Sequence, residues 1–135
     1  MEKIKWGVIG GGGIADRRTI PGMLMADNAV LTAVMDRNTS HARAVGEKYN
    51  VSGVCDSVEE LLKQDIDAVY IATPVFCHKE QAVAAMRAGK HVLCEKPMAL
   101  SREDCSLMVQ TARQTGMQLM IGQVVHYRDE AGLVY

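Results

Sequence analysis

Val8-Ile9-Gly10-Gly11-Gly12-Gly13-Ile14-Ala15 joins the apolar run Ile4–Ile9 to a segment, residues 14–25, whose apolar positions recur at helical spacing. Within it, Gly10-x-Gly12-x-x-Ala15 matches the G-x-G-x-x-G/A pattern. One glycine allows a tight turn, a second lets backbone approach a pyrophosphate, and a small third residue lets the helix pack closely on the strand. The helix that follows would point its free N–H groups and positive dipole end at bound phosphates. Four adjacent glycines also fit a plain flexible loop, so the reading depends on what surrounds them.

About twenty residues beyond Ala15, where a strand–helix–strand unit would place an acidic partner for a ribose, stands Asp36. It closes Ala29-Val30-Leu31-Thr32-Ala33-Val34-Met35, a run with the β-branched and aliphatic character of a buried strand. A carboxylate there can accept both hydroxyls of an adenosine ribose; the simpler alternative is that it only starts a turn or caps the next helix.

Outward from this unit, short apolar runs alternate with helical-period segments. Residues 4–9, 29–35, 68–72, 91–94 and 118–121 read as strands, with a weaker one at Gly53-Val54. Residues 14–25, 40–49, 57–63, 78–88 and 101–115 read as helices. In the last helix Cys105, Leu107, Met108, Val109 and Ala112 are expected to form the buried stripe. Ser57 with Glu60, and Ser101 with Asp104, have the spacing of capping boxes, and Gly89 and Gly116 fall just past helix ends. Alternating strands and helices predict an α/β fold: a doubly wound parallel sheet between two helical layers, linked by right-handed crossovers.

Composition sets the bounds. The 135 residues are enough for one domain that buries about two-thirds of its unfolded surface. Fifteen Lys and Arg nearly balance sixteen Asp and Glu, with no basic run, which argues against a nucleic-acid partner. Apolar stretches fall short of the ~20 residues that span a bilayer, so no membrane role is expected. The four cysteines lack C-x-x-C spacing, and no apolar signal core follows the N-terminus; reduced thiols in a cytoplasmic protein fit best. His41, His78, His91 and His126 show no ligand spacing with cysteines or carboxylates, so no metal site is expected. The nine methionines read as adaptable core residues.

A second group of candidates follows the fourth and fifth strands: Ile71-Ala72-Thr73-Pro74-Val75-Phe76-Cys77-His78 and Leu93-Cys94-Glu95-Lys96-Pro97. In an open parallel sheet the carboxyl ends of the strands form the ligand crevice, so both loops converge on the glycine loop. An ammonium at Lys96 could hydrogen-bond a substrate hydroxyl or carbonyl and stabilise alkoxide character during hydride transfer. The plainer alternatives are an exposed Glu95–Lys96 ion pair, and for His78 a solvent-facing or internally satisfied ring. Pro97 restricts Lys96 to extended geometry and is a candidate for a cis bond.

Together I-G-G-G-G-I-A, M-D-R-N, I-A-T-P-x-x-x-H and C-E-K-P resemble, in order and spacing, the Gfo/Idh/MocA family of nicotinamide-dependent oxidoreductases. The resemblance runs from Gly10 to Pro97, and the continuation to Ile121 looks like the family's N-terminal Rossmann domain. It implies that Lys96 is catalytic and that Gly10, Gly12, Gly13 and Ile14 form the pyrophosphate turn. It further implies Asp36 and Arg37 at the adenosine ribose and adenine, Thr73, Pro74 and His78 on the nicotinamide side, Glu95 at the nicotinamide ribose, and Pro97 among the cofactor contacts. Val75 departs from the Asn that many relatives carry after T-P, which removes one polar contact. Family members have a second, larger α/β domain that binds substrate and supplies an Asp and a His to the lysine. Residues 1–121 are therefore expected to be the cofactor domain and 122–135 the start of the crossover. Gln123–Arg128 resembles that crossover, and Glu130–Tyr135 reads as a helix beginning, as in a shortened piece of a longer protein.

The resulting expectation is the cofactor half of an NAD(P)-dependent dehydrogenase or reductase acting on a sugar, polyol or related hydroxylated compound, itself without turnover. Asp36 favours NAD because its charge repels a 2′-phosphate, while Arg37 leaves NADP as the alternative. A homo-oligomer is expected of the whole protein. The competing reading is a non-catalytic dinucleotide-binding or interaction module. Mononucleotide binding of the P-loop kind is disfavoured because no Gly-Lys-Ser/Thr follows the glycines.

Overall fold

The structure, a computed structural model, describes residues 2–122. Gln123–Arg128 and Glu130–Tyr135, expected to begin a crossover and a helix, lie outside the described residues. Six strands, β1 (Ile4–Ile9), β2 (Ala29–Met35), β3 (Gly53–Cys55), β4 (Ala68–Ile71), β5 (His91–Glu95) and β6 (Leu119–Gly122), form one sheet in the order β3-β2-β1-β4-β5-β6. Every pairing is parallel. Five α-helices cover it: α1 (Ile20–Met25), α2 (Thr39–Tyr49), α3 (Val58–Leu62), α4 (Val75–Arg87) and α5 (Arg102–Thr115). The strand order reverses direction between β1 and β4, the switch point at which doubly wound sheets open a ligand crevice.

Two cores lie on opposite faces of the sheet. On one, Ile9, Val69, Ile71, Val92 and Cys94 meet Leu61 of α3, Ala82 and Met86 of α4, and Met108 of α5. On the other, Val8, Val34 and Tyr70 meet Ala15, Ile20 of α1 and Val45 of α2. A step in register supplies one departure from simple alternation. Trp6 pairs with Leu31 but Gly7 pairs with Ala33, so Thr32 is skipped. Leu31 and Ala33, two positions apart, therefore pack in different cores, as a one-residue bulge requires.

Helix punctuation follows the side chains. Ser57 accepts the Glu60 N–H at the start of α3, and Glu60 reaches back to the Asp56 N–H, one residue before the cap. Ser101 accepts the Asp104 N–H at the start of α5, and Gly116 closes that helix in the left-handed conformation. Helix α4 begins at Val75, earlier than the expected residue 78, directly after Pro74.

Two expectations are corrected. Residues 14–25 are not one α-helix: Ala15–Thr19 form a π-helical turn, with the Ile20 N–H donating to the Ala15 carbonyl, before α1 begins. Pro21 has no N–H to return to the preceding turn, so the wider ladder ends where that donor is missing. In α5, Leu107 and Val109 are exposed, and Thr111 is buried beside Met108. Its hydroxyl donates to the Leu107 carbonyl at 2.7 Å, so a polar residue takes an inward position without an unpaired group.

Candidate functional site

The loop after β1 is built from two different glycine requirements. Gly10 adopts φ +92°, and a Cβ there would lie 2.9 Å from the Ala72 backbone carbonyl, where β1 passes closest to the end of β4. Its N–H donates to the Met35 carbonyl at 2.7 Å, so both neighbouring strands hold this turn. At Gly12, by contrast, a Cβ would meet only ordinary contacts, His41 Nδ1 at 3.5 Å and Asp36 Oδ2 at 3.8 Å. Nothing in the protein's own packing demands glycine at that position, so its small size leaves room for something that approaches the backbone. Ala15 is fully buried in the core beneath, which gives the close helix–strand packing of the motif's last position.

Asp36 takes the turn role read for it, and its second carboxylate oxygen is turned to the glycine loop. Oδ1 accepts the Asn38 N–H at 2.8 Å, the turn role, while Oδ2 accepts the Gly12 N–H at 3.2 Å and faces the glycine loop. Gly10, Gly12, Gly13, Ile14, Asp36, Arg37, Thr73 and Pro74, with Ala72, line one cleft of about 250 Å³. That size is below the usual ~300–1,000 Å³ of ligand pockets, suited to part of a dinucleotide with the rest along the open strand edge. The glycine loop, an acidic side chain and the start of a helical segment thus converge where pyrophosphate and ribose would sit, and the donor set fits such a group.

The remaining predicted residues stand along the same edge, beyond this cleft. Glu95 ends β5 and Lys96 follows, exposed, ahead of a cis peptide to Pro97. The two charges do not form an ion pair with each other, and Lys96 has no hydrogen-bond or ion-pair partner among the described residues. Glu95 instead accepts the Tyr70 hydroxyl at 2.7 Å. His78 is buried on the first turn of α4, with Nδ1 2.9 Å from the Pro97 carbonyl and Nε2 2.8 Å from the Thr73 carbonyl. Both ring nitrogens face backbone oxygens, so His78 ties the Thr73–Pro74 loop to the Lys96–Pro97 loop. Thr73 is held in turn by its hydroxyl bond to Gln81 Oε1 at 2.5 Å.

Sequence reasoning missed Tyr70, Thr19 and Gln81. A signal existed for Tyr70: a phenol inside a fully buried strand, Ala68–Ile71, must find a partner for its hydroxyl. Thr19 donates to that hydroxyl at 3.0 Å. Burial, reinforced by the nearby Glu95 carboxylate, pushes the Tyr70 phenol well above its ordinary value and keeps it protonated as a donor. Burial likewise raises the Cys94 thiol to about 12. Among the described residues no helix is long and apolar enough to cross a membrane.

Comparisons with known proteins agree with this geometry. The model of the oxidoreductase family with an NAD-binding Rossmann fold, Gfo/Idh/MocA, matches residues 4–123. The chain is 39% identical over 128 residues to a 1,5-anhydro-D-fructose reductase of Ensifer adhaerens, covering 94% of this chain and 38% of that protein. It is 38% identical to a glucose-6-phosphate 3-dehydrogenase of Bacillus subtilis, covering 90% of this chain and 33% of the relative. The 3-ketoreductase KijD10 of Actinomadura kijaniata, solved with NADP and TDP-benzene, superposes with a TM-score of 0.92 at 32% identity, over 98% of this chain and 41% of that one. The chain thus spans well under half the length of these relatives. With the glycine loop, Asp36 and the two strand-end loops on one edge of a six-stranded parallel sheet, it belongs to the Gfo/Idh/MocA oxidoreductase family as an NAD(P)-binding Rossmann domain.

Proposed function

We propose that this domain holds the cofactor of an NAD(P)-dependent dehydrogenase or reductase whose substrate is a sugar, a polyol or a related hydroxylated compound. The observation that carries the reading is the convergence, on one sheet edge, of the glycine cleft with a lysine, unpaired among the described residues, on the loop after β5. The names of the relatives, a sugar-derivative reductase and a sugar-phosphate dehydrogenase, support the substrate class.

In this reading the backbone of Gly10, Gly12, Gly13 and Ile14 receives the pyrophosphate, and Asp36 receives the adenosine ribose with Arg37 beside it. Thr73, Pro74, Glu95 and Pro97 line the nicotinamide side, and a bound nicotinamide supplies the hydride acceptor or donor. Lys96 hydrogen-bonds the reacting oxygen of the substrate and stabilises its developing negative charge. His78, buried and in contact with both loops, serves by positioning them. Asp36 makes NAD the preferred cofactor, since a 2′-phosphate beside its carboxylate would be repelled. Residues 1–121 are the cofactor domain and 122–135 lead into a substrate domain. The whole protein is a cytoplasmic homo-oligomer.

Calorimetric titration of the chain with NAD and NADP tests this. Saturable binding is expected, stronger for NAD, abolished by Gly12→Val and shifted toward NADP by Asp36→Ala. A folded chain that takes up neither dinucleotide would overturn the reading.

A further inference from the structure

We infer that Tyr70 is a positioning residue of the cofactor site: its hydroxyl, oriented by Thr19, fixes one oxygen of Glu95 so that the other is presented to the cofactor. This rests on the proposed reading that Glu95 faces the nicotinamide ribose.

Tyr70 is 1% exposed, flanked in the sheet by Val8 of β1 and Leu93 of β5. Its ring packs with Val8, Ala15 and Ile20, work that a phenylalanine of nearly the same volume would do as well. The hydroxyl is therefore an addition to the core that packing does not require, and burying it is unfavourable unless it is bonded. It has two partners, Glu95 Oε2 at 2.7 Å and Thr19 Oγ1 at 3.0 Å. A carboxylate only accepts, so the Tyr70 proton must go to Glu95, and the Thr19 proton must then go to Tyr70. The direction of the chain Thr19 to Tyr70 to Glu95 is set by this rule alone.

The Glu95 end of the chain lies at the strand-end loops, and the Thr19 end lies outside the glycine cleft, beside Met23 and Leu93. Thr19 is the last residue of the π-helical turn that follows the glycine loop, and Glu95 immediately precedes Lys96. From the other side β6 limits where the carboxylate can go. Gly122 is in register with Glu95, and a Cβ on it would lie 3.2 Å from Oε2 and 3.4 Å from Oε1. Three elements thus define one carboxylate position, while Oε1 accepts no hydrogen bond among the described residues. A carboxylate held by one oxygen with the other free is suited to accept a ribose hydroxyl without first losing its own side-chain freedom.

Calorimetry on the chain, with NAD and with ADP as probes, decides it. ADP reaches the glycine loop and Asp36 but has no nicotinamide ribose. Tyr70→Phe is expected to weaken NAD about five-fold, the size of one hydrogen bond, and to leave ADP unchanged. The double variant Tyr70→Phe/Glu95→Gln is expected to bind NAD no more weakly than Glu95→Gln alone, because Tyr70 acts through Glu95. Thr19→Val should weaken NAD in the same sense by a smaller factor. Equal weakening of ADP, additive effects in the double variant, or unchanged NAD affinity in Tyr70→Phe would each overturn the inference while the wild-type chain still binds NAD. No NAD binding by the folded wild-type chain would overturn it together with the reading on which it rests.

Discussion

His78 Nδ1 lies 2.9 Å from the Pro97 carbonyl, which joins the first turn of α4 to the loop that carries Lys96. The other ring nitrogen reaches the Thr73 carbonyl at 2.8 Å, so one buried imidazole spans two loops of the site. His78→Ala removes both contacts, including the hydrogen bond the ring donates, at a cost of about 1–2 kcal/mol by urea denaturation. Lys96 should also become mobile, seen as faster amide exchange at Met98 and Ala99. Unchanged exchange there would show that the loops hold their positions without His78.

The glycines of the loop should separate by phenotype. Gly10→Ala places a methyl 2.9 Å from backbone at a positive φ, so it is expected to lower stability by on the order of 2 kcal/mol or more. Gly12→Ala meets only ordinary contacts, and its melting temperature should stay within a few degrees of wild type while NAD binding falls. Equal destabilisation by the two changes would contradict the division of roles.

Asp16, in the π-helical turn, is tied to α2. Lys48 Nζ is 2.9 Å from its Oδ1 and the Tyr49 hydroxyl 2.8 Å from the same oxygen. The Lys48 bond first, and the Tyr49 bond second, hold the Asp16 carboxyl below its ordinary value of 3.8. A folded-state value depressed below the unfolded one stabilises the fold above the unfolded value, and this is lost as pH falls through the folded one. The urea midpoint of wild type should exceed that of Asp16→Asn at pH 7, and the gap should shrink as pH falls below 3.8. It should also narrow in high salt, since both side chains are partly exposed. A gap unchanged by acidification below 3.8 would show that the charge is not responsible.

The four thiols should divide into two pairs. Cys94, raised to about 12 by burial and the adjacent Glu95 charge, and Cys55, raised by burial, are both buried; Cys77 and Cys105 are half-buried. In the folded chain at pH 8, iodoacetamide should label Cys77 and Cys105 well before the other two, as peptide mass spectrometry would resolve. Cys94 reacting as fast as Cys105 would contradict the placement of β5.

The order of elements, the parallel sheet, the glycine turn and the acidic residue after β2 were readable in the sequence, because each depends on neighbours within a turn or a strand. Periodicity reports which face of an element is apolar, and caps report where helices begin. What periodicity cannot report is which inward position a bonded hydroxyl will take, so Thr111 was missed in favour of Leu107 and Val109. Nor can it place a bulge: Thr32 is skipped because β1 and β2 fall out of step, a property of the pair.

At the site the division follows the same physics. Gly10, Gly12 and Asp36 were legible because turn geometry and a strand end put them there. Lys96 was legible only as a residue at a strand end; that it lacks a partner among the described residues depends on Glu95 turning to Tyr70. That bond spans 25 positions of sequence and the Thr19–Tyr70 bond spans 51, and only the sheet order, with β4 between β1 and β5, makes them neighbours. The local chain determined which residues reach the carboxyl edge of the sheet. Tertiary packing alone decided which of them hold one another and which are left free to hold a ligand.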